Sequence, residues 1–144
     1  MADQRLYFLL QRAAHQLRVA ADRRCMGAAG ITTAQLGALF VVQEQPGVTQ
    51  QELAHALGQR ESAITSMVTR LVDAGLISKR THPKQYRAIA LDLTTSGKQA
   101  LERVRPVIQD FNEQMRAAIG ADAFDATAQA LARLDRWFAT PETS

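Results

Sequence analysis

Five short polar side chains stand at helical spacing in the stretch ESAITSMVTRLVDAG: Ser62, Thr65, Ser66, Thr69 and Asp73. Ile64, Met67, Val68 and Leu71 recur at i, i+3, i+4 and i+7 on the opposite face of the same helix. An apolar stripe of that period belongs against a core. A hydroxyl-bearing face does not. Its side chains are short enough to let a helix backbone come close to a polar surface, and each hydroxyl can donate and accept, which suits reading base edges in a DNA major groove. Beyond Gly75 the cations Lys79, Arg80, Lys84 and Arg87 follow, with no acid between Leu76 and Leu91. Positive charge directly after such a helix is the arrangement that neutralises phosphates.

Other chemistries find little material. His15, His55 and His82 are far apart, and the single Cys25 cannot complete a local metal motif, so no metal site is expected. There is no G-x-S-x-G, P-loop or dinucleotide fingerprint and no serine triad in evident order, so neither an enzyme nor a cofactor is expected. Cys25 is a candidate oxidation sensor, with Arg23 and Arg24 beside it to favour a thiolate; against that, cysteine most often packs as a small buried hydrophobe. Trp137 and Phe138 read as the core of a dimerising helix before they read as a ligand pocket.

The elements that hold the polar face in place follow from periodicity and punctuation. A first helix runs from Asp3 to about Met26, with Leu6, Leu10, Leu17 and Ala21 on one side and Gly27 and Gly30 to stop it. Thr32 or Thr33 caps a second helix whose period is set by Leu36, Leu39, Phe40 and Gln43, and Pro46-Gly47 ends it. Thr49 followed by Glu52 reads as a capping box for a third helix carrying Leu53, Ala54 and Leu57, with Gly58 as the turn. The hydroxyl-faced helix comes next, its start blurred because Arg60 stands where an N-cap is wanted. LISKR and RAIALDL then form a two-stranded ribbon around the polar tip THPKQY, where Pro83 suits a turn. Thr94 or Thr95 opens a long helix in which Leu101, Val104, Ile108, Phe111 and Met115 alternate in steps of three and four, a heptad-like seam interrupted by Pro106. A last helix, about Asp122 to Phe138, repeats Phe124, Ala128, Leu131, Leu134 and Phe138 before Pro141 and a polar tail.

The chain of 144 residues is long enough to bury a core without staples, and its net charge of +3 says less than the distribution of that charge. The cluster Arg18, Arg23 and Arg24 reads as a solvated face. With no disulfide framework, and no apolar run at the start longer than Leu6 to Leu10, the expected compartment is the cytoplasm. The expected fold is mainly α with a small β-hairpin wing: a winged helix-turn-helix over residues 32–95, flanked by dimerisation helices over 1–31 and 96–144. Terminal helices more apolar than one small module can cover imply a twofold homodimer.

The segment TQQELAHALGQRESAITSMVTRLVDAGLISKR, followed by RAIALDLTTSGKQAL with its L-T-x-x-G ending, resembles the multiple-antibiotic-resistance regulator (MarR) family of bacterial transcription factors, and the likeness extends over nearly the whole chain. The resemblance implies a winged-helix homodimer acting at promoters, often released from DNA by a small molecule or an oxidant. It carries over to Ser62, Thr65 and Ser66 as groove-facing residues, Arg70 as a phosphate contact and Arg87 as the wing arginine. The family's wing usually has Asp two residues before that arginine. Here Gln85 holds the position, and a neutral carbonyl accepts a weaker bond from a guanidinium than a carboxylate does.

The expected DNA-binding set is thus Thr49, Gln50, Ser62, Thr65, Ser66, Thr69, Arg70, Lys79, Lys84 and Arg87. The expected partners are a palindromic double-stranded DNA, a second copy of the chain, and a small aromatic or amphipathic effector lodged between the dimerising helices and the reading module. A repressor is expected. A redox repressor using Cys25, or a winged-helix adaptor that binds protein in place of DNA, are the alternatives.

Overall fold

In the computed structural model, which describes residues 5–140, the chain runs α1 (Leu6–Ala29), α2 (Thr33–Glu44), β1 (Val48–Thr49), α3 (Gln50–Leu57), α4 (Glu61–Asp73), β2 (Ile77–Thr81), β3 (Ile89–Leu93), α5 (Thr95–Ile119) and α6 (Ala121–Ala139). The expected positions Asp3 and Pro141 lie outside the described residues. The chain divides into two compact units between Val107 and Ile108. Among the described residues no single helix is long and apolar enough to cross a membrane.

The first unit holds the core. Of the expected α4 stripe, Ile64, Val68 and Leu71 are buried and Met67 is half-buried; the three buried residues share the interior with Leu36, Leu39 and Val42 of α2, Leu53 of α3, Ile77 and Leu91 of the sheet, and Leu101 and Val104 of α5. Two sequence expectations change here. Phe40 and Gln43 are exposed, and Ala38 and Val42 take the core side of α2 in their place. Leu101 and Val104, two of the five residues of the expected dimer seam, are buried in this unit; the other three, Ile108, Phe111 and Met115, are half-buried in the second unit.

Helix ends follow local chemistry. Thr32 and Gln35 form the full capping box of α2, the Thr32 hydroxyl accepting from the Gln35 amide at 3.1 Å and the Thr32 amide donating to Gln35 Oε1 at 2.9 Å. Thr33 is freed for another partner: its amide and hydroxyl donate to Asp22 Oδ1 at 2.8 and 2.6 Å, tying α1 to the start of α2. α1 continues through Gly27 to Ala29 and stops only at Gly30, whose left-handed backbone directs its amide to the Met26 carbonyl. Pro106 sits inside a continuous α5, where its missing N–H removes one helical bond; the boundary between the two units falls one residue later.

The sheet has three strands in the order β1-β3-β2, all antiparallel. β1, unforeseen from the sequence, pairs Val48 with Leu91 and Thr49 with Ala90. β2 pairs with β3 from Ile77↔Leu93 to Thr81↔Ile89. The second ribbon run was expected to begin at Arg87, but β3 begins at Ile89 and Arg87 belongs to the turn.

In the second unit no residue of α6 is buried. Leu131, Leu134, Trp137 and Phe138 are all exposed, and Trp137 and Phe138 pack on each other with ring centroids 4.7 Å apart. Arg116 reaches across the α5–α6 turn to lie over Phe124 and to pair with Asp125 at 3.7 Å.

Candidate nucleic-acid interface

α3, a left-handed Gly58 and α4 form the helix-turn-helix. The Gly58 amide bonds back to the Ala54 and His55 carbonyls at φ +62°, a conformation that glycine adopts at no steric cost. α4 has no side-chain cap at Arg60, as the sequence indicates, although Glu61 places a negative charge in its first turn. Its outward face carries Ser62, Thr65, Ser66, Thr69 and Arg70, all exposed.

These hydroxyls are not equivalent. Thr65 donates to the Glu61 carbonyl at 3.0 Å and Thr69 to the Thr65 carbonyl at 2.9 Å, so their protons are already engaged and their oxygens face outward as acceptors. Thr65 Oγ1 also lies 3.4 Å from Gln50 Oε1, joining the first turn of α3 to α4. Ser62 and Ser66 have no such bond and keep both donor and acceptor capacity.

Thr49 departs from its expected role. It is only 4% exposed, and its hydroxyl accepts from the Glu52 amide at 3.1 Å as the N-cap of α3. It positions the interface without offering a hydroxyl to it, and the reciprocal Glu52 half of the expected box is not formed because Glu52 turns to the wing. Gln50 is half-buried beside Thr65.

The wing redistributes the charges. Lys79, Lys84 and Arg87 are exposed. Arg80 is not available in the same way: Asp92, its diagonal neighbour across β2 and β3, accepts from Arg80 Nε at 2.5 Å, and this bond raises the guanidinium's pKa further. The acid-free run from Leu76 to Leu91 ends one residue before that carboxylate. The Arg80 guanidinium also covers Gly47, where a Cβ would stand 2.8 Å from Nη2.

At the tip, Gln85 does not hold Arg87. Its Nε2 donates to Glu52 Oε1 at 3.3 Å, fastening the wing to α3. The Lys84 and Gln85 amides both donate to His82 Nδ1, at 3.1 and 3.0 Å, and the His82 amide donates to the Ala88 carbonyl. Arg87 adopts a left-handed backbone, φ +60°, and its guanidinium carbon lies 5.2 Å from the centroid of the Tyr86 ring. The turn overhangs a cleft of about 290 Å³ lined by Gln50, Gln51, Glu61, Gln85, Tyr86 and Arg87 among others. Sequence reasoning missed Glu52, His82, Tyr86 and Asp92 as parts of this surface. No local pattern signals contacts that join residues as far apart as 52 and 85.

The base of the wing explains the L-T-x-x-G ending. Thr94 accepts from the Gly97 amide and donates to the Gly75 carbonyl, while a Cβ at Gly97 would stand 2.2 Å from the Leu76 carbonyl oxygen. The C-terminal end of α4, the start of β2 and the start of α5 are locked at this point.

Away from the interface, Cys25 is 2% exposed, and burial, reinforced by the Asp22 charge, pushes its thiol pKa up. The neighbouring arginines do not reverse that direction. Among the described residues no three His, Cys, Asp or Glu side chains gather as a metal site.

The helix-turn-helix, its hydroxyl-faced second helix and the fastened β-wing define a winged helix-turn-helix protein. Residues 29–88 match the MarR family model. A putative transcriptional regulatory protein for the hcr operon of Thauera aromatica is 34% identical over 93 residues, 62% of this chain and 56% of that protein. The HTH-type transcriptional regulator BilQ of Clostridium symbiosum is 27% identical over 62% of each chain. This chain therefore spans less than two thirds of the length of these curated relatives. The solved structure of the transcriptional repressor CouR, bound to a 23-mer DNA duplex, superposes with a TM-score of 0.84 at 26% identity, covering 90% of this chain and 92% of that one. Over residues 29–88 the chain is thus similar to the MarR family, and over most of its length its fold is similar to that of a DNA-bound transcriptional repressor.

Proposed function

We propose that this protein is a sequence-specific regulator of transcription that binds palindromic double-stranded DNA as a homodimer in the cytoplasm and represses until a small aromatic or amphipathic molecule releases it. The observation that carries the reading is the α4 face, where Ser62, Ser66 and Arg70 are exposed, followed in the chain by a wing whose cations Lys79, Lys84 and Arg87 are exposed as well. CouR, a repressor of the same fold bound to duplex DNA, supports it.

The homodimer is supported by apolar surface that a single chain leaves in water: Leu6, Tyr7, Phe8 and Leu9 on α1, and Leu131, Leu134, Trp137 and Phe138 on α6. A twofold axis presents two α4 helices to half-sites about 10 base pairs apart. A ligand that prefers a dimer of different spacing lowers DNA affinity by its differential affinity for the two states. A thiol switch is disfavoured by the burial of Cys25.

A gel shift against genomic fragments tests the reading. Preferential retention of a fragment containing an inverted repeat is the expected result. No preference over random duplex at moderate salt, together with capture of a protein partner, would overturn it in favour of an adaptor.

A further inference from the structure

Tyr86 is 88% exposed, more than any other large apolar side chain among the described residues. A single exposed ring asks for no explanation by itself. The backbone that presents it does. Arg87, with a full side chain, is held at φ +60°, a conformation that costs free energy and persists only where its surroundings impose it. Here they do: His82 Nδ1 collects two amides of the turn, Gln85 is fastened to Glu52, and the His82 amide closes the turn on Ala88. The result is a stiff tip with the Tyr86 ring in water, the Arg87 guanidinium on its face and Lys84 two residues before it.

Location and charge select the partner. Tyr86 and Arg87 line the same cleft as Gln50 and Glu61, at the N-terminal end of the α4 face. The apolar surface assigned to dimerisation lies elsewhere, on α1 and α6. A ring flanked by two cations and sharing a cleft with the first residue of α4 fits a polyanion that also has apolar surface to cover. In a stacked duplex the base faces are hidden, and the apolar surface left accessible along the backbone is deoxyribose.

We propose that Tyr86 is a DNA-contacting residue in its own right: its ring packs on a deoxyribose beside the phosphates that Lys84 and Arg87 neutralise, and its hydroxyl donates to a phosphate oxygen. This rests on the DNA-binding reading above. Tyr86 adds neutral contact, Arg87 adds charge, and the Glu52–Gln85 bond keeps both from swinging away.

The test is a salt series of binding isotherms, by fluorescence anisotropy, on a duplex retained by the wild-type protein. Tyr86→Ala should weaken binding about five- to tenfold at every salt concentration, the size expected for one good contact, without changing the slope of log affinity against log salt. Tyr86→Phe should fall between the two. Arg87→Ala should lower the slope by about one unit. Thermal melting of Tyr86→Ala should match wild type, because the ring supports no core. Affinity within twofold of wild type for Tyr86→Ala overturns the inference alone. So does a slope change like that of Arg87→Ala, which would make the ring only a platform for the guanidinium. A wild-type protein that binds no duplex overturns this inference and the DNA-binding reading together.

Discussion

The Thr94 hydroxyl donates to the Gly75 carbonyl at 2.6 Å, across the narrow gap where α4 gives way to the wing and the wing to α5. The same oxygen accepts from the Gly97 amide at 3.0 Å, and the Thr94 amide reaches the Leu76 carbonyl at 3.1 Å. One residue thereby satisfies three polar backbone groups from two other segments of chain.

Thr94→Val keeps the shape and deletes both hydroxyl bonds, leaving the Gly75 carbonyl and the Gly97 amide without that partner. A loss of about 1–3 kcal/mol is expected in urea unfolding. Gly97→Ala should cost at least as much, because its Cβ meets a backbone carbonyl that has little freedom to move. Unchanged midpoints for both variants would show that the junction yields.

Asp22 stabilises the contact of α1 with α2 in a pH-dependent way. Its carboxyl is held below its ordinary pKa, first by the Thr33 hydroxyl and then by the Thr33 amide. A depressed folded pKa contributes stability that is complete above the ordinary value of about 3.9 and is lost as pH falls through the lower folded value. Asp22→Ala should therefore be less stable than wild type near neutral pH, by about 1–2 kcal/mol for two hydrogen bonds, and the two should converge in strong acid. Parallel stability curves down to low pH would count against the assignment.

On α4, Ser66→Ala should cost on the order of 1 kcal/mol of DNA affinity and alter base preference if its contact is to a base. Thr69→Ala should cost less when the opposing group is an acceptor, since the Thr69 proton is already engaged with the Thr65 carbonyl. A selection of bound sequences with each variant measures both.

In the wing, Arg80→Ala should change affinity and salt dependence less than Arg87→Ala, because Asp92 offsets the Arg80 charge. The ordering of salt slopes decides the matter; a larger change for Arg80 would mean that the ion pair opens on DNA.

For assembly, sedimentation at micromolar concentration should give a dimer, and Leu134→Asp on the exposed face of α6 should shift it toward monomer or aggregate. A well-behaved wild-type monomer would overturn the homodimer.

What the sequence determined by itself was whatever repeats along one element. The stripe Ile64, Val68 and Leu71 of α4, its opposing hydroxyls, the caps at Thr32 and Thr49 and the turn at Gly58 are local consequences of helical period and side-chain hydrogen bonding, and all are present in the fold. What only the tertiary structure decided was which side chains are already spent. Thr49 became a buried cap, Arg80 was paired by Asp92, Gln85 turned to Glu52 instead of Arg87, and the two-residue strand β1, too short to show any alternation, found its place by pairing with β3. Each of these joins residues from different elements. A hydrogen bond or ion pair across such a distance is set by packing, and periodicity along the chain carries no record of it.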